Sequence, residues 1–405
     1  MGRTEPSQGL APPSFRRDAR AKKAKATINK VIPGLLSAHP RAKRGAEASE
    51  LMLEPPARKK DKETVADKEA FTATQMQHGP RITLRVADTL TAARSLLQKE
   101  STGKLDLSNK NAKVAILNMA SPLSPGGGFI NGASSQEESL CMRTTLLSSL
   151  KDEFYRLPEL GAIYTPDVLV FRDEEGADLE KRDRWFVDCV SAAMLRMPET
   201  EVDEDSGRGR YASDKDRDLI LQKMRTVMRI FQAKGAKSVV LGAWGCGAYG
   251  NPVGEVAAAW RKVLLGGRNK GKGNKENWNG IQEVVFAIKD ASLADGFEGA
   301  FGSGLTRQES QDDLEEDHGN DDLEAQRMKE LQDKIQELEL RAEQARTPQL
   351  KSGLDVVLTG LRRELGEQRA SSEQGPISLA GDEEGLASSD NQSEESDDED
   401  DSDSA

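Results

Sequence analysis

Apolar positions along this 405-residue chain change their spacing several times, and each change marks an element boundary. Residues 1–15 show no hydrophobic period and predict a disordered start. Ala19, Ala26, Ile28, Val31, Ile32, Leu35 and Leu36 then recur within a run of Ala, Lys and Arg, which predicts a basic helix bent or divided at Pro33. A linker rich in Pro, Lys and Asp follows at about 54–80. From Arg81 short apolar runs alternate with longer helical periods. Strands are predicted at 82–86, 113–119, 167–171, 184–190, 237–242 and 281–288, and helices at 88–98, 136–150, 214–234 and 252–264. Nearly continuous apolar strands such as 114–117 predict burial on both faces, and hence an α/β fold: a three-layer α/β/α sandwich around a mixed sheet.

After about Ser303 the core pattern stops. Met328, Leu331, Ile335, Leu338, Ala342 and Ala345 recur at alternating spacings of 3 and 4, as in a short coiled-coil seam, although a single solvated helix has the same pattern. Leu354, Val357, Leu358, Leu361 and Leu365 share one face of a second helical stretch that can fold back on the first. The expected organisation is a disordered 1–15, a basic helical extension and linker at 16–80, and a catalytic α/β domain at 81–300. An acidic linker at 301–322, a helical or coiled-coil-like segment at 323–366 and a disordered acidic tail at 367–405 complete it.

Composition supports this division, because a chain 36% hydrophobic and 31% charged is too polar to pack as one core of this length. Residues 1–60 carry 14 Lys and Arg against 5 Asp and Glu, and 302–405 carry 10 against 30, so the middle is nearly neutral within a net charge of -12. The basic segment suits nucleic acid, another polyanion or an import receptor, but a solvated helix face explains it as well, and direct DNA binding is not expected. Ser393, Ser396 and Ser402 stand among carboxylates as candidate phosphorylation sites. No apolar run reaches the roughly 18 to 20 residues that cross a bilayer, so a soluble intracellular protein of the nucleus or cytoplasm is expected. Cys141, Cys189 and Cys246 lie far apart without a CxxC or a neighbouring His, which supports neither a disulfide framework nor a metal site. No cofactor is called for.

Two loops carry the candidate chemistry. Strand 113–119 runs into Gly126, Gly127 and Gly128, and Gln136, Glu137 and Glu138 open the helix beyond. Successive glycines expose backbone N–H groups, so such a loop accepts a phosphate, although a flexible turn has the same composition. The second loop, Gly245, Cys246, Gly247, Ala248, Tyr249, Gly250 and Asn251, repeats the strand-glycine-helix plan before Pro252. Across one sheet edge the two sets of amides can grip a diphosphate, with Tyr249 offering an aromatic face to a ribose or packing into the core. Asn118, at a strand end, hydrogen-bonds either a ligand or the loop, and Gln136 has the same alternatives. Glu137 and Glu138 read in isolation would only complement a helix dipole.

The combination PGGG, seven residues, then QEE, with GAWGCGAYGNP downstream, resembles the microbial-type poly(ADP-ribose) glycohydrolases, a branch of the macrodomain superfamily. The resemblance spans roughly residues 16–296. It implies that Glu138 is the catalytic glutamate, that Glu137 positions a ribose hydroxyl, that Gly126, Gly127 and Gly128 form the catalytic loop, and that Gly245 to Asn251 bind the diphosphate. The implied activity is hydrolysis of ribose–ribose O-glycosidic bonds, from the chain terminus, with poly(ADP-ribose) or an ADP-ribosylated protein as partner and no metal. A mono-ADP-ribosyl hydrolase and a non-catalytic ADP-ribose reader are the alternatives. The 323–366 segment offers a surface to a protein partner. One stretch departs from the pattern: residues 191–195 lack the family's Ala-Pro-Asn strand ending.

Overall fold

The computed structural model describes residues 13–53, 79–97, 106, 113–203, 207–266 and 276–308, together with 332, 335–336, 338–339, 357–363 and 365. Helix α1 (Pro13–Ala26) passes through one π-helical turn (Thr27–Val31) into α2 (Ile32–Ala38), and α3 (Pro40–Glu47) follows. Pro33 sits at the start of α2, where a missing N–H costs nothing, so the predicted division falls at the π turn just before it. Then come β1 (Glu50–Leu53), β2 (Arg81–Arg85), α4 (Thr89–Ser95), β3 (Val114–Met119), α5 (Gln136–Arg143), β4 (Gly161–Val170) and β5 (Trp185–Ala192). A hairpin of β6 (Thr200–Val202) and β7 (Gly209–Tyr211) precedes α6 (Asp214–Ala233), β8 (Ser238–Leu241), α7 (Val253–Leu265), β9 (Glu283–Ala287), α8 (Ala291–Phe301) and β10 (Thr306–Arg307).

Eight strands form one sheet in the order β1-β4-β5-β3-β8-β9-β2-β10. It is parallel from β5 to β10 and antiparallel at β4 and β1, hence mixed. Successive side chains of a strand point to opposite faces, so alternate residues of one strand seed two cores. Leu117, Val239, Val284 and Phe286 pack with Met224, Met228 and Phe231 of α6 and with Trp260 and Phe297 of α7 and α8. Ile116, Val240 and Val285 pack on the other face with Leu90 of α4, Leu140 of α5 and Ala24 of α1. Each large side chain buried in this way contributes about 1.5–3 kcal/mol, which explains why the central strands are apolar throughout.

Three departures from the sequence reading have local causes. Strand β4 starts at Gly161, well before the expected 167, because Pro166 and Asp167 interrupt the apolar run yet form a bulge inside the strand. There Asp167 takes a left-handed φ of 53°, fixed by Arg41 Nε at 2.7 Å and by its own N–H donating to Asp188 Oδ1 at 3.0 Å. The helix expected over 136–150 stops at Arg143: Thr144 is extended, and its hydroxyl accepts from the Leu146 N–H at 3.1 Å. Finally, β10 joins the sheet beside β2, so this body continues past the expected boundary at 300.

The basic side chains of α1 act as clamps. Arg17 Nε donates to the Asn131 carbonyl at 3.0 Å, Arg20 Nε to that of Gly132 at 2.8 Å, and Lys23 Nζ to that of Gly176 at 2.8 Å. Gly132, at φ 74°, is needed there, since a Cβ would lie 2.1 Å from the Arg17 carbonyl oxygen.

A second unit spans Glu316–Ala405. In it Ile335 and Leu358 are buried together with Leu338, Leu361 and Leu365 around them, and Arg362 pairs with Glu339 at 2.6 Å. Met328, Leu331, Ala342, Ala345, Leu354, the acidic tail with its serines, and most of the 54–80 linker lie outside the described residues. No helix among the described residues is long and apolar enough to cross a membrane.

Candidate active site

Strands β5, β3 and β8 are adjacent and parallel, so their carboxyl ends open onto one edge of the sheet. Three loops leave that edge: 120–128 after β3, 193–199 after β5 and 242–252 after β8. The first is shaped by Gly126 and Gly127, at φ values of 67° and 54°. A Cβ on Gly127 would stand 2.9 Å from both Glu137 Oε2 and Glu138 Oε1, so no other residue lets this loop close over the two carboxylates.

The glutamates occupy the first turn of α5, yet they point inward and are only 3% and 7% exposed. Gln136 fixes that turn. Its Oε1 accepts from the Met119 N–H at 2.9 Å, while its Nε2 donates to the Leu117 carbonyl at 2.7 Å and to Thr89 Oγ1 at 3.1 Å. Glu137 Oε2 accepts from the Ser121 N–H at 2.7 Å, and Asn118 Nδ2 lies 3.4 Å from Oε1. Burial, only partly offset by these bonds and reinforced by the neighbouring Glu138 charge, pushes the Glu137 carboxyl up to about 7. Glu138 Oε1 accepts from the Gly128 N–H at 2.8 Å. Its other oxygen, Oε2, is buried without a hydrogen-bond partner among the described residues, and so is Asn118 Oδ1.

The second loop is drawn tight by Asn251. Its Nδ2 donates to the carbonyls of Leu195 at 2.8 Å and Gly245 at 3.0 Å, and its Oδ1 accepts from the Tyr211 hydroxyl at 2.7 Å. The Cys246, Gly250 and Asn251 amides bond within the loop, to the carbonyls of Ala243, Gly247 and Gly245. Those of Gly245, Gly247, Ala248 and Tyr249 donate to no acceptor among the described residues. Gly247 and Ala248 are exposed, and a Cβ on Gly247 would meet nothing within 4 Å. The Tyr249 phenol faces the Ser121 hydroxyl and both glutamates, which ties the second loop to the first; its partial burial raises its pKa.

All the residues expected at the site converge here, but they divide the work differently. The amides of the first loop do not point at a phosphate: Gly128 binds Glu138, Gly127 binds the Ser124 carbonyl at 3.2 Å, and Gly126 lies against the Glu137 carboxylate. Gln136 and Asn251, expected to touch ligand, have both ends of their amides committed to protein partners. Ser191 enters from β5, opposite Asn118 in register, and accepts from Asn118 Nδ2 at 3.0 Å; its position 73 residues away leaves no spacing by which a sequence could reveal it. Cys141 and Cys189 lie buried beneath the site, their thiols raised by burial, Cys189 to about 12, so neither is a ready nucleophile. Among the described residues no cluster of His, Cys, Asp and Glu could hold a metal ion.

Residues 42–173 match the family described as microbial-type PARG, catalytic domain. The chain is similar to the X-ray crystal structure of poly(ADP-ribose) glycohydrolase (PARG) from Thermomonospora curvata, at 26% identity and a TM-score of 0.51, over 70% of this chain and 98% of that one. A glutamate-to-alanine mutant of the same enzyme aligns at 26% identity and a TM-score of 0.50, over 70% and 100% of the two chains. No curated protein matches the chain. The strand-glycine-helix unit that holds Glu137 and Glu138 falls inside the residues that match this family's catalytic-domain model.

Proposed function

We propose that this protein hydrolyses the ribose–ribose O-glycosidic bond of poly(ADP-ribose) from the chain terminus and releases ADP-ribose. The observation that carries this reading is the pair of carboxylates at the sheet edge. One oxygen of Glu138 is anchored by the Gly128 amide, while the other has no hydrogen-bond partner among the described residues and is left to exchange a proton with substrate.

Cleavage of such a bond passes through an oxocarbenium-like state. Glu138 Oε2 gives its proton to the leaving ribose oxygen as the bond to the anomeric carbon breaks. Water then attacks that carbon and returns a proton to the same oxygen, so the carboxyl ends as it began. The shortened polymer regains a hydroxyl, and ADP-ribose leaves with a new one at its anomeric carbon. Glu137, held apart by the Ser121 amide, orients a hydroxyl of the reacting ribose. The free amides of Gly245, Gly247, Ala248 and Tyr249 bind the diphosphate, which lies close enough to offset the developing positive charge.

Incubating the full chain with labelled poly(ADP-ribose) and with mono-ADP-ribosylated protein tests this. Glu138→Gln is expected to lower ADP-ribose release by about 10²–10⁴-fold while ADP-ribose binding persists. Release that survives the substitution removes Glu138 from its role. Binding without turnover of either substrate makes the protein a reader, and turnover confined to the single modification makes it a mono-ADP-ribosyl hydrolase.

A further inference from the structure

The charge balance of the site is incomplete without a cation. Two carboxylates stand beside the loop that would receive a diphosphate, and the amides of the first loop are spent on those carboxylates. A diphosphate placed there brings two further negative charges into a partly buried setting, where neutral amides alone compensate poorly.

A cation is placed to do this on the third loop of the edge. Beyond β5 the chain turns at Met197, which takes a left-handed φ of 51° and donates its N–H to the Tyr249 carbonyl at 2.9 Å. The preceding Leu195 carbonyl is held by Asn251 at 2.8 Å. Arg196 is therefore pinned on both sides to the second loop. Its side chain is exposed and within electrostatic reach of the Tyr249 phenol. It forms no ion pair or side-chain hydrogen bond among the described residues, whereas Arg210 in the adjoining hairpin is paired with Glu201 and Asp203.

We propose that Arg196 binds the diphosphate of the ligand across the Gly247–Ala248–Tyr249 amides and sets the site's preference for a phosphate-bearing ribose over a neutral nucleoside. A guanidinium matches phosphate oxygens in a bidentate fork and stays charged at every working pH. The inference rests on the ADP-ribose reading above.

Calorimetry on the full chain with ADP-ribose and with adenosine separates the two claims. Arg196→Ala is expected to weaken ADP-ribose binding about 10- to 100-fold, the loss typical of one charged hydrogen-bonding group, and to leave adenosine binding as in the unaltered protein. Arg196→Lys should recover part of the loss. The salt dependence of ADP-ribose affinity should flatten in Arg196→Ala, since one ionic contact is removed. Thermal midpoints equal to that of the unaltered protein will show that the exposed side chain was not holding the fold. ADP-ribose affinity unchanged in Arg196→Ala overturns the inference and leaves the site reading intact. An unaltered protein that fails to bind ADP-ribose overturns the site reading and this inference with it.

Discussion

Glu137 and Glu138 are adjacent in sequence and both buried, and the amides they meet are what distinguish them. Ser121 and Asn118 take up both oxygens of Glu137, whereas Gly128 takes one of Glu138 and leaves the other open. The raised pKa of Glu137 has a consequence for stability. Its carboxyl titrates near 7 in the folded protein against an ordinary value of 4.5, so the folded state holds the proton more tightly than the unfolded chain. That advantage is complete below pH 4.5 and is lost as pH rises through 7. Relative to Glu137→Gln, the unaltered protein should therefore lose stability between pH 5 and pH 8, by up to about 3 kcal/mol. Urea denaturation of both proteins at the two pH values measures it, and an equal difference at both would show that the carboxyl titrates normally. Neither the orientation of the pair nor this shift is legible in the letters Gln-Glu-Glu, because both arise from strands and loops that enter from elsewhere.

At the level of elements, two glycine loops that look alike in sequence do different jobs. The loop at Gly126, Gly127 and Gly128 is an internal brace for the carboxylates, while the one at Gly245 to Gly250 presents its amides outward. Substitution should separate them. Gly127→Ala places a Cβ within 2.9 Å of both carboxylates at a φ of 54°, so it should cost about 1–2 kcal/mol of stability and lower kcat. Gly247→Val faces open space, so stability should change by less than about 0.5 kcal/mol while ADP-ribose affinity falls. Thermal denaturation and calorimetry on the two variants check this; a Gly247→Val protein that binds normally would remove that loop from the ligand site. Strand β4 shows the same limit on reading elements. Its Pro166-Asp167 step looks like a break in sequence, and only the Arg41 and Asp188 contacts show it to be a bulge within a continuous strand.

Across the whole molecule the sheet, both cores and the candidate site belong to the unit ending at Glu315. A chain truncated after that residue should keep the thermal midpoint and the kcat of the full protein, because the contacts described at the site are made by residues of this unit. A lowered midpoint or kcat, by calorimetry or ADP-ribose release, would show that the acidic C-terminal unit contributes to the domain. By itself the sequence determined the central strands, the long helices and the two glycine loops, since these depend on local periodicity and on the conformations open only to glycine. Its resemblance to a family pointed to Glu138. The tertiary structure decided the rest: which amides remain free, which oxygen is unpartnered, that the basic side chains of α1 clamp carbonyls, and that Arg196 stands beside Tyr249. Several of these depend on partners far along the chain, such as Arg17 with Asn131 and Met197 with Tyr249, and hydrogen bonding and electrostatics act over ångströms in space whatever the distance along the chain.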